Sequence, residues 1–289
     1  MLAVCVLLLA VQSAVSVPPH PEAEAQWKAD GVYDEKMANL KAFMANGGCS
    51  PIENAFSHLR ENSDFATSAA VDTINILVLM IDFLDYKFNS TSYAPGGGSP
   101  VLSSNVFATA NSLDSLLFSR QGDPVSNPTG SMTDFYYDNS FGKILMTGEV
   151  KGWYTAPKNY SYYVSNNTGF SFSGELVEEA IKAAAADGVN FQPFDNDGDN
   201  LIEFIIICHA GPGAETGAYG IWSHKSTVGF THAGYSFVDY SMNPEEQGGA
   251  VSNAGVYIHE TGHLLSLPDL YDTDGNGDGI GLWSAMAGG

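Results

Sequence analysis

The sequence predicts an α/β (α+β) layered domain built on a mixed twisted sheet. Two segments, INILVLMIDF (Ile74–Phe83) and LIEFIIICHAG (Leu201–Gly211), are dense apolar runs of strand length, the pattern of strands buried on both faces. Between them, GELVEEAIKAAAAD (Gly174–Asp187) has helical spacing, with glutamates in its first turns where the helix dipole favours them. Strands and helices alternate along the chain, so helices are expected to cover the faces of the sheet.

The remaining elements follow in order. Met1–Ala10 (MLAVCVLLLA) is almost purely apolar, and Pro18 and Pro19 follow soon after. This is the form of a secretory signal core, too short to span a bilayer, with small residues Ala14 and Ser16 placing cleavage near Ser16. A buried N-terminal strand is the alternative. Residues 17–72 read as a polar helical leader, with one helix over AEAQWKADGVYDEKMANLKAFMA stopped by Gly47-Gly48. Such a leader is either a propeptide or a subdomain that is never removed. From residue 73 to 289 the strand-rich domain runs on. A short helix is expected near Asn111–Ser119, an aromatic helix from Met132, a strand over Lys143–Val150, and an edge or hairpin strand over Tyr235–Tyr240.

Composition excludes several functions. There are 33 Asp+Glu against 11 Lys+Arg, a net charge of −22 in 289 residues. Such a chain repels phosphates, so nucleic acid is not its partner, and no stretch supplies a membrane anchor. Hydrophobic residues reach 44% while charged residues are only 15%, which excludes a disordered chain. Surplus carboxylates repel one another unless cations sit among them. Three cysteines, Cys5, Cys49 and Cys208, are too few for a disulfide scaffold. Cys49 and Cys208 could pair, or a Cys49 thiolate could cap a metal from the leader.

The chemistry concentrates in His259-Glu260-Thr-Gly-His263. Asn253 is a suitable N-cap for a helix ending near Leu265. On that helix His259 and His263 are one turn apart on one face, so each can give a nitrogen to a tetrahedral Zn²⁺. Glu260 is offset by about 100°, beside the metal without binding it, the place for a base that takes a proton from water. Pro268 ends the helix, and the turn there can return Asp269 as third ligand; a helix-end cap is the other reading of Asp269.

The run HETGHLLSLPDLYD resembles the zinc motif of immune-inhibitor-A-like (M6) secreted metallopeptidases, and His-Glu-x-x-His followed by Asp six residues later resembles that of metzincins generally. LWSAMAGG, with Met286, is similar to the methionine turn of that group. Segments from Ile74 onward, among them FDNDGDNLIEFIIICHAGPGAETG and IWSHK, extend the resemblance to Gly289. It implies a metzincin-like catalytic domain with an active-site helix and Met-turn, preceded by a signal peptide and a small helical propeptide. It also implies a secreted zinc endopeptidase acting on protein or peptide substrates, with His259, His263 and Asp269 on zinc and Glu260 as catalytic base. In one respect the chain departs: Ser266 stands where the pattern has glycine, and a left-handed turn there costs a non-glycine residue roughly 1–2 kcal/mol. In another, the chain stops at Gly289, soon after the Met-turn, where such domains normally continue.

A second cation is expected elsewhere. Asp195, Asp197, Asp199 and Glu203 alternate in a loop that can surround calcium; an acidic turn capping its own amides is the plain alternative. Asp272–Asp278 is a weaker calcium candidate. His209 and His224 either line a cleft or are structural. The rival functions are another zinc hydrolase, such as an aminopeptidase, and a calcium-dependent binding module or inactive relative of a peptidase.

Overall fold

A computed structural model of the chain describes residues 15–16, 19, 21–45, 71–88, 109–120, 129–165, 168–272, 277 and 279–287. Seven strands form one sheet: β1 (Val15–Ser16), β2 (Asp72–Asp82), β3 (Ile144–Thr155), β4 (Leu201–Pro212), β5 (His224–His232), β6 (Tyr235–Gln247) and β7 (Ala250–Val251). Their order is β1-β5-β6-β4-β2-β3, with β7 on β6. β3, β2, β4 and β6 are mutually parallel, whereas β5 runs antiparallel to β6 and β1 antiparallel to β5. The sheet is therefore mixed, as expected.

Among the described residues the helices are α1 (Pro21–Asp30), α2 (Tyr33–Ala45), α3 (Ala110–Phe118), α4 (Met132–Asn139), α5 (Tyr160–Val164), α6 (Ser173–Ala186) and α7 (Ala254–Leu264). They cover both faces, and β2 explains why. Its side chains alternate between two cores: Leu77, Leu79 and Ile81 enter one, and Ile76, Val78 and Met80 enter the other. All six are essentially inaccessible to water, which is why the run is continuously apolar. Each such side chain contributes roughly 1.5–3 kcal/mol by leaving water. The first core is closed by α6, through Leu176, Val177, Ala180 and Ile181, and by Tyr160 and Tyr163 of α5. The second is closed by Leu113 and Leu117 of α3, Met132 and Tyr136 of α4, and Val256, Tyr257 and Leu264 of α7. Helix α7, which carries His259 and His263, thus has the second core as its floor.

Two sequence expectations are corrected. The leader is two helices, because Gly31 takes a left-handed φ of 72° and ends α1. It packs on the body: Trp27 is buried, its ring 5.7 Å from that of Trp222. Tyr235–Tyr240 is a hairpin strand, one of the two expected forms, paired antiparallel with β5 across Ala233-Gly234; it is not an edge but the start of β6, an interior strand reaching Gln247. Its burial is hidden in the sequence because Asp239, Ser241, Asn243, Glu245 and Glu246 are polar yet buried. Val15 and Ser16, expected to end a signal segment, pair with Lys225 and His224 of β5. Residues 1–14, the rest of that segment, lie outside the described residues, as do Cys49 and most of Asp272–Asp278. Among the described residues, no helix is long and apolar enough to cross a membrane.

One buried ion pair ties β5 to β6. Lys225 Nζ lies 3.1 Å from Asp239 Oδ1, with side chains 4% and 0% exposed. Burial pushes the Asp239 carboxyl up to about 6, although Lys225 pulls it down. Removing only the cation leaves a buried charge without compensation, so Lys225→Met should lower unfolding stability by about 3–5 kcal/mol in urea titrations. Replacing both partners by apolar residues should recover most of that loss. A Lys225→Met variant within about 1 kcal/mol of the parent would contradict this role for the pair.

Candidate metal centre

Local sequence sets the position of α7 first. Asn253 caps its N-terminus, its side chain accepting from the Gly255 amide at 2.8 Å. The helix is then clamped from two sides. Tyr257 sends its hydroxyl to Cys208 Sγ on β4 at 3.3 Å. From α4, the Tyr136 hydroxyl donates to the Ile258 carbonyl, and Thr261 on α7 reaches Met132 Sδ at 3.4 Å. Burial, with the nearby charge of Glu260 as a lesser cause, holds the Tyr136 hydroxyl well above the usual phenol range, so it stays a donor.

The turn after α7 returns the chain. The Ser266 amide donates to the His263 carbonyl at 3.0 Å, and the Leu267 amide to the Gly262 carbonyl at 3.1 Å. This is the Schellman pair of bonds, and Ser266 occupies its left-handed position with φ 62°. The departure from glycine noted in the sequence is therefore accommodated at a cost and does not divert the chain. Asp269 then faces both histidines.

Three ligand atoms converge. His259 Nε2 and His263 Nε2 are 3.2 Å apart. Asp269 Oδ1 lies 3.1 Å from the first and 3.4 Å from the second, with no side chain of the three more than 4% exposed. Ligands held tetrahedrally at 2.0–2.1 Å from zinc are about 3.3 Å apart, so the spacing suits that ion. The ring tautomers agree. His259 Nδ1 lies 2.7 Å from the Ala285 carbonyl and His263 Nδ1 lies 2.8 Å from the Leu267 carbonyl. A carbonyl only accepts, so both Nδ1 atoms carry the proton and both Nε2 atoms present lone pairs to each other. Two lone pairs and a carboxylate oxygen facing one another call for a cation, and two nitrogens with one oxygen are donors that zinc accepts. Burial holds the His263 imidazole below its ordinary range. Burial acts to raise the Asp269 carboxyl, but the two adjoining imidazoles outweigh it and hold the carboxyl below the usual carboxylate range.

Met286 joins this assembly. It is buried, its carbonyl accepts from the Leu270 amide at 2.7 Å, and its sulfur packs so close to Gly262 that a Cβ there would overlap it. The same Cβ would come within 3.2 Å of the Tyr136 hydroxyl. Gly262, between the two histidines, is thus the position that lets α4 and the Met286 turn approach α7. Glu260 is fully buried on the same helix, which excludes a solvated role for it.

The other sequence candidates sort clearly. Carboxylate oxygens of Asp195, Asp197 and Asp199 come within 4.8 Å of one another, and Glu203 is buried at the start of β4. His209 and His224 are fully buried. His224 Nδ1 donates to the Trp222 carbonyl, and burial pushes both imidazoles down to about 4. Sequence reasoning missed Tyr136 and the carbonyls of Ala285 and Leu267. Backbone acceptors leave no mark in a sequence, and Tyr136 was hidden in an aromatic helix far along the chain.

The chain is similar to known proteins over most of its length. The family model described as immune inhibitor A peptidase M6, catalytic domain, matches residues 63–289. Immune inhibitor A of Bacillus thuringiensis subsp. alesti is 33% identical over 258 residues, which are 74% of this chain and 36% of that protein. Pre-pro-metalloprotease PrtV of Vibrio cholerae serotype O1 is 30% identical over 259 residues, 75% of this chain and 27% of that protein. The chain therefore spans about a third or less of the length of these curated relatives.

The left-handed Ser266 makes a testable point. Ser266→Gly relieves about 1–2 kcal/mol of backbone cost but adds roughly 0.5–1 kcal/mol of unfolded-state entropy, so a small net gain in stability is expected. Ser266→Val, β-branched at positive φ, should loosen Asp269 and weaken metal binding at the cluster about tenfold or more in a competitive chelator titration. Equal metal affinity in the valine variant and the parent would show that this turn does not position Asp269.

Proposed function

The chain belongs to the immune inhibitor A peptidase (M6) family, and from that premise we propose that it is a secreted zinc-dependent endopeptidase hydrolysing peptide bonds within proteins. The observation that supports this most is the buried convergence of His259 Nε2, His263 Nε2 and Asp269 Oδ1 within 3.4 Å. These three residues would hold zinc, leaving one tetrahedral position for water or substrate. When bound there, zinc supplies Lewis acidity, polarising the scissile carbonyl and acidifying the attacking water.

The chain's own residues do the rest. Glu260 accepts the proton of the attacking water and delivers it to the leaving amine. The Ala285 and Leu267 carbonyls fix each imidazole so that Nε2 faces the site. Tyr136 and Gly262 set the height of α7 against α4 and the Met286 turn. Residues 1–16 act as a signal peptide and 17–72 as a propeptide-like leader, with 73–289 as the catalytic unit. The apolar run Met1–Ala10 and the separate helical character of the leader support that division.

Glu260→Ala should retain one zinc per chain by metal analysis and lose about 10²–10⁴-fold in cleavage of casein. Peptides blocked at both ends should be cut internally by the parent. A zinc-loaded Glu260→Ala variant as active as the parent would remove Glu260 from the mechanism, and cleavage confined to free N-termini would make the protein an aminopeptidase.

A further inference from the structure

Asn159-Tyr160-Ser161 is an Asn-x-Ser triplet, the acceptor sequence for N-linked sugar. Two further triplets of this kind start at Asn89 and Asn166, which lie outside the described residues. A triplet alone says little, because three common residues meet by chance in many chains. The fold decides whether one can carry a sugar: the asparagine side chain must reach solvent, and nothing else must depend on it.

Asn159 meets both conditions. It is exposed, as is Ser161, while Tyr160 between them is fully buried. The Tyr160 ring lies 4.9 Å from that of Phe83, and its hydroxyl donates to the Tyr219 carbonyl at 3.0 Å. The triplet is thus fixed to the core by its middle residue, with solvent at the two outer ones. Asn159 directly precedes α5 with extended backbone, φ −70° and ψ 153°. An asparagine in that place normally uses its side chain to accept a helix amide. Thr109, Ser131 and Asn253, which precede α3, α4 and α7, all do so. The Asn159 side chain does not. Instead the Tyr160 amide donates to Asp85 Oδ1 at 2.7 Å, and the Asn159 carbonyl accepts from the Tyr162 amide at 3.0 Å. A carboxylate from the segment after β2 therefore satisfies the first amide of α5, and the fold does not call on the Asn159 carboxamide.

We propose that Asn159 is a site of N-glycosylation when the chain passes through a secretory compartment that attaches such sugars. The donor is an oligosaccharide linked to lipid pyrophosphate, transferred by the oligosaccharide transferase of that compartment. Asn159 Nδ2 forms a bond to C1 of the first sugar. The bond from C1 to the pyrophosphate oxygen breaks, and the lipid pyrophosphate leaves with its electron pair. Nδ2 gives one of its two protons to a base of the transferase. The Ser161 hydroxyl is the second recognition element of the triplet. No hydrogen bond of the fold is lost in this step, and the bulky, solubilising glycan stays in water. The proposal rests on the secreted reading of the chain and is independent of the metal centre.

The test expresses the full chain in a eukaryotic secreting cell that N-glycosylates, once with its own residues 1–16 and once with a host signal peptide in their place. Peptides of the secreted protein are read by mass spectrometry before and after peptide-N-glycosidase treatment, so that each triplet is scored separately. The Asn159 peptide should carry a glycan in most secreted molecules. Asn159→Gln and Ser161→Ala should each abolish it there. Made in a cell that does not glycosylate, both variants should melt within about 2 °C of the parent, as surface changes do. An Asn159 peptide that is bare in every secreted molecule would overturn the proposal, as would a glycan that persists in Ser161→Ala. An Asn159→Gln variant that fails to fold would equally overturn it, since the side chain would then serve the fold; Ser161→Ala keeps the asparagine and tests the modification separately. Secretion and glycosylation at Asn159 only behind the host signal peptide would remove the reading of residues 1–16 and uphold this site.

Discussion

Two imidazole lone pairs and a carboxylate oxygen, turned toward one another inside the protein, are the constraint around which the rest of this domain is arranged. Left alone they repel, and burial removes the water that would screen them. Each neighbouring feature holds them in place. The Nδ1 protons are committed to the Ala285 and Leu267 carbonyls, which prevents either ring from turning its lone pair away. The Schellman turn at Ser266 brings Asp269 across, and the chain then returns past Met286 to the first histidine. The centre is thus assembled from one helix, one turn and one later loop, each fixed by main-chain hydrogen bonds that do not depend on the ligands themselves.

Rigidity reaches this centre through the sheet. Helix α7 rests on a core shared with β2 and β4, whose side chains alternate between the two faces. Tyr257 ties α7 to β4, and Tyr136 ties it to α4. Gly262 allows the tie to α4 to be close. Alanine at this helical position would be the better helix former by about 1 kcal/mol, so glycine is kept here for space and not for propensity.

Much of this was legible in the sequence where a single physical rule acts. β2 and β4 were evident because strands buried on both faces need continuous apolar runs, and α6 because its spacing and terminal charges agree. The histidines of α7 could be paired from their one-turn separation, and Asn253 named as its cap. Legibility failed where burial and polarity part company. β6 places Asp239, Ser241, Asn243, Glu245 and Glu246 in the interior, so hydropathy understated its length and its central place. β5 was missed for a similar reason, since its Lys225 is buried against Asp239. Gly31, read through as part of one leader helix, ends the first of two. The contacts of Tyr136 and the two carbonyls at the histidines depend on segments distant in the chain, which local pattern cannot join.

The central claim is that His259, His263 and Asp269 bind one zinc ion through two imidazole nitrogens and a carboxylate oxygen. X-ray absorption at the zinc edge on the purified full chain tests it most directly. The account predicts a first shell of nitrogen and oxygen only, at about 2.0–2.1 Å, with the outer-shell scattering of two imidazoles that disappears in part in His263→Ala. A sulfur shell at about 2.3 Å, or scattering from imidazole that is unchanged in that variant, would contradict it.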